Sequence, residues 1–142
     1  MTSKMEFHYE IVGRVISKLF NEGLSRVELD SETASEYLGL DNSEGKNFKQ
    51  DIVDVIFWMI SEGLIRTSNT YETLDGSASF INVQLTSKCI SIIRVNSTEQ
   101  IGVKNIEHLL SKSEETPPSI SNYIKVGSFV GSILGGFTKS IS

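Results

Sequence analysis

Hydrophobic positions near the N-terminus recur with the period of an α-helix. Ser3 and Glu6 form a capping-box pattern that predicts where this helix begins, and Gly23 is suited to end it. The positions predicted to face the core are Ile11, Val12, Val15, Ile16 and Leu19. The polar residues predicted to lie on the opposite face are Glu10, Arg14, Ser17 and Lys18. The pattern therefore predicts one amphipathic helix that ends at about Glu22.

A short strand and two more helices follow in the pattern. Residues 25–29 alternate as a strand does, and Asp30 is a favourable N-cap for a short second helix that stops at Gly39. The third helix is predicted from about Lys46 to Glu62. Its apolar sector comprises Phe48, Ile52, Val55, Ile56 and Met59. Its outward sector is predicted to carry Lys46, Gln50, Asp54, Phe57 and Ser61, flanked by Val53 and Trp58.

Extended residues and a turn signal follow the third helix. Residues 64–66 open an extended run, and the pair Asp75-Gly76 is a strong signal for a hairpin turn. Beyond the turn, alternation within residues 80–85 is predicted to place on one face Ile81, Val83 and Leu85. The pattern predicts a β-hairpin that closes the domain.

Two short phrases resemble the winged-helix family. Glu62-Gly63-Leu64-Ile65 is similar to the turn by which the third helix of that family passes into the wing. Leu85-Thr86-Ser87-Lys88 is similar to the strand end that starts the next helix. The order helix, strand, helix, helix, hairpin resembles the family over about residues 5–95. The resemblance implies an α+β, mostly helical fold with a three-helix core, a β-hairpin wing and additional C-terminal helices.

The predicted domain organisation has three parts. Residues 1–95 form the winged-helix domain, residues 96–118 a short helix and a linker, and residues 119–142 a glycine-rich C-terminal helix. The linker ends with Pro117 and Pro118, because paired prolines cannot continue a helix.

The C-terminal helix has a groove of small residues and an apolar ridge. Gly127, Gly131 and Gly135 recur every four residues, and the ridge consists of Tyr123, Val126, Val130, Ile133 and Phe137. With Gly136, the segment has four glycines, which lower the helix propensity by about 4 kcal/mol relative to alanine. This helix therefore needs stabilising contacts. We expect it to dock on the domain, with homodimerisation through the groove as the alternative. It is too short and too interrupted to suggest a membrane span.

The charge distribution disfavours nucleic acid as the partner. The formal net charge is -5, and residues 1–95 contain 9 basic and 14 acidic side chains. The predicted third helix is acidic, and the wing, Thr67–Ser79, contains no lysine or arginine to contact phosphate. The alternative function, a winged-helix transcription regulator, would bind DNA through Lys46, Lys49 and Arg66.

Residue types capable of catalysis or metal binding are few and scattered. His8 and His108 have no cysteine or carboxylate at a recognised zinc spacing, and Cys89 lies among isoleucines. No phosphate-binding loop, G-x-S-x-G elbow or dinucleotide fingerprint occurs. We therefore predict a non-enzymatic protein without a metal or cofactor. The single cysteine and the polar N-terminus favour the cytoplasm.

An acidic protein without catalytic chemistry suits binding to another protein. The residues predicted to bind the partner are Gln50, Asp54, Phe57, Trp58, Tyr71, Glu72 and Asp75. For Phe57, burial against the chain's own C-terminal tail is the alternative. Two phrases, Lys125-Val126-Gly127-Ser128 and Gly135-Gly136-Phe137-Thr138-Lys139-Ser140, resemble glycine-rich ends of immunity proteins from contact-dependent growth inhibition toxin systems. The resemblance implies a bacterial or phage inhibitor that neutralises a toxin, and the acidic surface suits a basic toxin.

Overall fold

The fold is α+β and mostly helical, as the patterns predict. The computed structural model describes residues 3–40, 48–94 and 106–141, and in the last range it describes side chains as far as Leu134. These residues form six helices and one antiparallel sheet of four strands. The elements in chain order are α1 Lys4–Glu22, β1 Val27–Asp30, α2 Ala34–Tyr37, α3 Lys49–Ser61, β2 Ile65–Arg66, β3 Asn69–Glu72, β4 Ala78–Leu85, α4 Ser87–Arg94, α5 Ile106–Ser111 and α6 Ile120–Ile141.

Helix α1 begins and ends where its sequence signals predict. The Ser3 hydroxyl accepts a hydrogen bond from the Glu6 amide at 3.1 Å, and the Glu6 carboxylate accepts one from the Ser3 amide. Gly23 has a φ of 65°, and its amide donates to the Phe20 carbonyl at 3.1 Å. The predicted apolar face is confirmed by the burial of Ile11, Val12, Val15, Ile16 and Leu19.

The prediction of an exposed polar face on α1 is wrong. Glu10 and Ser17 are buried, with 7% and 4% of their surface exposed. The Ser17 hydroxyl donates to the hydroxyl of Ser113 at 2.8 Å, and the side-chain amide of Asn21 donates to the same hydroxyl at 2.7 Å. The linker predicted within residues 96–118 is therefore anchored to α1, and segments from later in the chain cover the polar face.

The second helix starts later than its predicted cap. We predicted Asp30 as the N-cap, but α2 begins at Ala34 and follows Thr33. Asp30 instead ends β1, where its carboxylate accepts a hydrogen bond from the Glu32 amide at 2.8 Å and stabilises the turn before α2. The predicted end of the helix is confirmed, because Gly39 adopts a left-handed conformation with a φ of 75°.

Strand β4 lies at the centre of the sheet. β1 pairs with one edge of β4, while β2 and β3 pair in succession with the other edge, all antiparallel. Asn82 has a φ of 57°, and the register between β1 and β4 shifts beside it. This bulge interrupts the alternation, so the buried residues of β4 are Ala78, Phe80, Val83 and Leu85. The prediction that Ile81 shares a face with Val83 and Leu85 is wrong for this reason.

Helix α3 packs against both α1 and the sheet. The ring of Phe48 lies 5.0 Å from that of Phe7 on α1, and the ring of Phe57 lies 5.1 Å from that of Phe80 on β4. Four of the five predicted core residues of α3 are confirmed by the burial of Ile52, Val55, Ile56 and Met59. The fifth, Phe48, directly precedes the helix and is half-buried. The predicted start of this helix at about Lys46 is three residues too early, because α3 begins at Lys49. Lys46 itself lies outside the described residues.

Helix α6 runs antiparallel to α1 at very short range. A Cβ atom added at Gly13 would overlap the carbonyl of Tyr123, and one added at Gly127 would overlap the carbonyl of Tyr9. The two helices therefore touch backbone to backbone at both glycines. Gly131 lies one turn further along, against the aromatic ring of Tyr9.

The C-terminal helix is thus docked within its own chain. Its buried side chains are Tyr123, Val126, Phe129, Val130 and Leu134. Gly135 and Phe137 lie in its last turns, outside the residues whose side chains are described. Because α1 covers Gly127, dimerisation through the groove would require α6 to leave α1. None of the described helices combines the length and hydropathy that crossing a membrane requires.

Candidate protein-binding surface

The start of α3 lies against the hairpin turn between β3 and β4. Lys49 Nζ lies 3.3 Å from the Glu32 carboxylate and 3.9 Å from that of Asp75. It also donates a hydrogen bond to the Ser77 hydroxyl at 3.1 Å. Hydrogen bonds from Ser77 and Lys49 lower the pKa of Glu32. The lysine that begins α3 is therefore held between carboxylates from two other segments.

Hydrogen bonds across residues 73–77 hold the hairpin turn in one conformation. The Thr73 amide donates to the Ser77 carbonyl at 2.9 Å, and the Asp75 carboxylate accepts from the Thr73 hydroxyl and the Ser77 amide. These hydrogen bonds, foremost the one from Thr73, lower the pKa of Asp75 to about 2. Gly76 has a φ of 88°, which a side chain would disfavour. The turn therefore keeps a charged carboxylate in a fixed position.

Leu74 projects from this turn, and sequence reasoning missed it. Its side chain is fully exposed. The signal that could have identified it is a leucine in a turn otherwise made of threonine, aspartate, glycine and serine, where an apolar side chain has no local packing role. A large apolar side chain on a rigid turn is a candidate anchor for a protein partner.

Gln50 connects the turn to the exposed side of α3. Its side-chain oxygen lies beside Gly76, and its side-chain amide donates to Asp54 Oδ1 at 2.8 Å. Trp58 lies one helical turn beyond Asp54 and is half-buried. The continuous surface defined here as the α3–turn strip consists of Gln50, Asp54, Trp58, Leu74 and Asp75.

Three predicted partner-binding residues are not part of this strip: Phe57, Tyr71, and Glu72, which lies two residues before Leu74. The prediction that Phe57 points outward is wrong, because the sheet covers this side of α3 and the half-buried ring packs edge-on against Phe80. Tyr71 pairs with Ser79, whereas its neighbour Thr70 pairs with the buried Phe80. Tyr71 therefore projects from the opposite face of the sheet. Its exposed ring is available to a partner, but on a different surface.

Among the described residues, carboxylates outnumber available cations around the α3–turn strip. Glu72 is exposed at the end of β3 and pairs with Ala78, on the sheet face that α3 covers. Among the residues that the structure describes, neither Asp54 nor Glu72 forms an ion pair with a lysine, arginine or histidine. Lys49, by contrast, is paired. The strip therefore has negative potential beside its apolar side chains.

Two of the three residues predicted to contact DNA, Lys49 and Arg66, lie far apart. Lys49 donates to Ser77, which directly precedes β4, whereas the Arg66 guanidinium donates to the side-chain oxygen of Gln84 near the end of β4. Ser77 and Gln84 are seven positions apart along an extended chain, which corresponds to about 20 Å. The third predicted residue, Lys46, lies outside the described residues.

The histidines and the cysteine occupy unrelated positions. His8 Nε2 lies 2.9 Å from Asp51 Oδ1, and Lys4 Nζ lies 3.2 Å from the same oxygen. Burial alone would raise the pKa of Asp51, but hydrogen bonds from His8 and Lys4 outweigh burial and lower it. His108 is exposed on α5. Cys89 is fully buried, and burial raises the pKa of its thiol to about 12.

In the parts of the chain that the structure describes, no group of three or more histidine, cysteine, aspartate or glutamate side chains could hold a metal ion.

Comparisons of the chain with protein-family models, curated proteins and solved structures find no match. The α3–turn strip is therefore interpreted from its own shape and charge. It is a rigid acidic surface with projecting apolar side chains, which suits a basic surface that contains an apolar depression.

Proposed function

We propose that this chain is a non-enzymatic winged-helix protein that neutralises a basic partner protein by binding it through the α3–turn strip. This is the activity of an immunity or antitoxin-type inhibitor, with a basic toxin as the partner. The order of the elements supports a winged helix, because β1 lies between α1 and α2 in the chain and pairs with β4 of the hairpin that follows α3. The same order underlies the sequence resemblance.

The observation that carries the proposal is the charge of the strip. Lys49 is neutralised by Glu32 and Asp75, whereas Asp54 accepts a hydrogen bond from the neutral side chain of Gln50. A basic protein would be attracted to this surface at long range and held by ion pairs at short range. The phosphates of DNA would be repelled by the same carboxylates.

Leu74 gives the turn end of the surface a fully exposed apolar side chain. Protein interfaces concentrate their binding energy in a few central side chains, surrounded by polar contacts that exclude water. Leu74 is flanked by the carboxylates of Asp75 and Glu72 and is presented by a hydrogen-bonded turn. Leu74 enters an apolar depression of the partner, while the carboxylates bind lysine or arginine side chains at the edge of that depression.

Recovery of bound proteins from the native cell tests this function. The full chain with an affinity tag is compared with a strip variant, Asp54→Lys with Glu72→Lys. The matched control, Glu114→Lys with Glu115→Lys, makes the same change in net charge at exposed positions elsewhere. We expect one basic protein to be recovered by the wild-type chain and the control, and to be lost from the strip variant.

Two results of this experiment would overturn the proposal. One is that no protein is enriched by the wild-type chain over the strip variant. The other is that the recovered protein is acidic and is bound equally by the wild-type chain and the strip variant. A shift of duplex DNA that weakens steeply with salt and disappears in Lys49→Ala would replace the proposal with a transcription regulator.

A further inference from the structure

A groove opens between α1 and α3 beside the α3–turn strip. Its volume is about 230 Å³ and its walls are mostly apolar. It is lined by Met5, His8, Tyr9 and Val12 of α1 and by Asp54, Val55 and Trp58 of α3. Because Asp54 and Trp58 also belong to the strip, the groove is continuous with the surface proposed to bind the partner.

The walls of the groove are held in place by the core. Val12 and Val55 are 2% and 3% exposed, so both are fixed by packing. The backbone of Tyr9 lies against Gly127, so α6 fixes the backbone of this residue from behind. The groove is therefore formed before any ligand binds, which lowers the entropic cost of binding.

Asp54 supplies the charge of the groove. It is exposed, and its Oδ1 accepts a hydrogen bond from Gln50. Within the described residues, the nearby basic side chains are engaged elsewhere, since Lys4 Nζ and His8 Nε2 both contact Asp51 Oδ1. A positively charged ligand would therefore meet an uncompensated carboxylate beside aromatic rings.

The ligand that matches these walls has a flat cationic head and an apolar stem. A guanidinium stacks on aromatic faces and donates two parallel hydrogen bonds to a carboxylate. Its three methylene groups can lie along apolar side chains such as Met5 and Val12. A lysine ammonium is more compact and more strongly hydrated, so it uses an indole face and a carboxylate less fully.

We propose that this groove binds an arginine side chain of the basic partner, with the guanidinium between Trp58 and Asp54 and the stem along the apolar wall. The identity of the partner rests on the proposed function. The groove itself can be tested without the partner, because its recognition chemistry is that of a single side chain.

Trp58 is the only tryptophan in the chain, so its indole N–H gives one reporter signal in a proton–nitrogen NMR spectrum. The full chain is titrated with the N-methylamide of N-acetylarginine and, in parallel, with the corresponding citrulline compound, which has the same shape without the charge. We expect saturable, millimolar binding of the arginine compound. The citrulline compound should bind about tenfold more weakly, because it forms no charge-assisted hydrogen bonds with Asp54.

Variants locate the binding at the groove. Asp54→Asn should reduce the affinity for the arginine compound to that for the citrulline compound. The matched control, Glu114→Gln, removes one carboxylate at an exposed position on another segment and should bind as the wild-type chain does. Because Asp54 is exposed, we expect the Asp54→Asn variant to fold as the wild-type chain does. An otherwise unchanged NMR spectrum will show this.

Several outcomes would overturn the arginine assignment. Equal affinity for the arginine and citrulline compounds would show an apolar cleft without preference for a cation. The absence of saturable binding, or full affinity in Asp54→Asn, would exclude the proposed contact. If the Trp58 indole signal moves with protein concentration alone and the arginine compound does not change it, the groove is assigned to binding a second copy of the chain.

The two experiments distinguish failure of the arginine assignment from failure of the proposed function. If the arginine compound binds but partner recovery does not depend on the strip, the groove assignment stands and the proposed function fails. If the strip variant loses the partner but the arginine compound does not bind, only the groove assignment fails.

Discussion

Gly13 on α1 and Gly127 on α6 lie where two helix backbones touch, each against the carbonyl of a tyrosine on the other helix. Each glycine costs about 1 kcal/mol of helix propensity, which the close packing must offset. The four-residue spacing of Gly127 and Gly131 revealed a groove from sequence alone. Gly13 was not identified, because a single glycine inside an amphipathic helix has no periodic signal.

Gly127→Ala and Gly131→Ala form a matched pair. The new methyl group at position 127 would meet the backbone of Tyr9, which cannot move without separating the helices, so we expect a loss of about 2 kcal/mol in the free energy of unfolding. At position 131 it would meet the ring of Tyr9, which can shift, so stability should stay within about 1 kcal/mol of wild type. Urea unfolding measures the free energy of unfolding of both variants. Equal stability of the two variants would contradict the backbone contact.

Asp75 makes the hairpin turn dependent on pH. Its pKa of about 2 in the folded chain lies below the value of about 4 in an unfolded chain. The carboxylate therefore adds stability that is complete above about pH 4 and is lost as the pH falls toward 2. The difference in urea midpoint between wild type and Asp75→Asn should shrink over this range. A carboxyl NMR titration of Asp75 with a midpoint near 4 would contradict the hydrogen-bonded turn.

At the scale of elements, α1 is buried on two faces. Its apolar face joins the core, and its polar face binds the end of α2 and the C-terminal helices. Arg14 Nε donates to Glu10 at 2.8 Å, Arg14 Nη1 donates to the Leu38 carbonyl at 3.0 Å, and the guanidinium lies 4.5 Å from the ring centre of Tyr123. The side chains of this ion pair are only 13% and 9% exposed.

Breaking the pair between Glu10 and Arg14 should be costly. Arg14→Met leaves the Glu10 carboxylate buried without its cation, so we expect a loss of about 3 kcal/mol in the free energy of unfolding. Adding Glu10→Gln should recover part of this loss, because no isolated charge then remains buried. A denaturation cycle of the single and double variants measures the coupling. Strictly additive losses would contradict a buried, coupled pair.

The sequence predicted those elements whose signals are local. The capping box at Ser3, the left-handed glycine after α2 and the hairpin turn at Asp75 depend on a few neighbouring residues. The bulge at Asn82 and the burial of Glu10 depend on strands and helices far away in the chain. A helical wheel cannot show that a polar face will be covered, since it contains no information on partners.

The same limit applies to the surface of the whole molecule. Gln50, Asp54, Trp58 and Asp75 were predicted, and they share a continuous strip because α3 meets the hairpin turn. Strand pairing separates Tyr71 from that strip, which the sequence could not show without the register. The groove was also missed, because its two walls belong to helices that are distant in sequence.

The net charge of -5 and the separation of Lys49 from Arg66 predict weak affinity for nucleic acid. In a mobility-shift assay at low salt, we expect no shift of duplex DNA by the wild-type chain. The charge-reversed pair Asp54→Lys with Glu72→Lys should increase whatever weak binding exists. A salt-dependent shift by the wild-type chain would contradict this assignment of charge.

Photo-crosslinking from Leu74 in the native cell tests the central claim most directly. A benzophenone side chain replaces Leu74 in the full chain, and the control replaces Ile120, another exposed apolar residue, at the start of α6. We predict one discrete adduct with a basic protein from position 74, absent from position 120 and abolished by Asp54→Lys with Glu72→Lys. No adduct from position 74, or the same adducts from both positions, would contradict partner binding through the α3–turn strip.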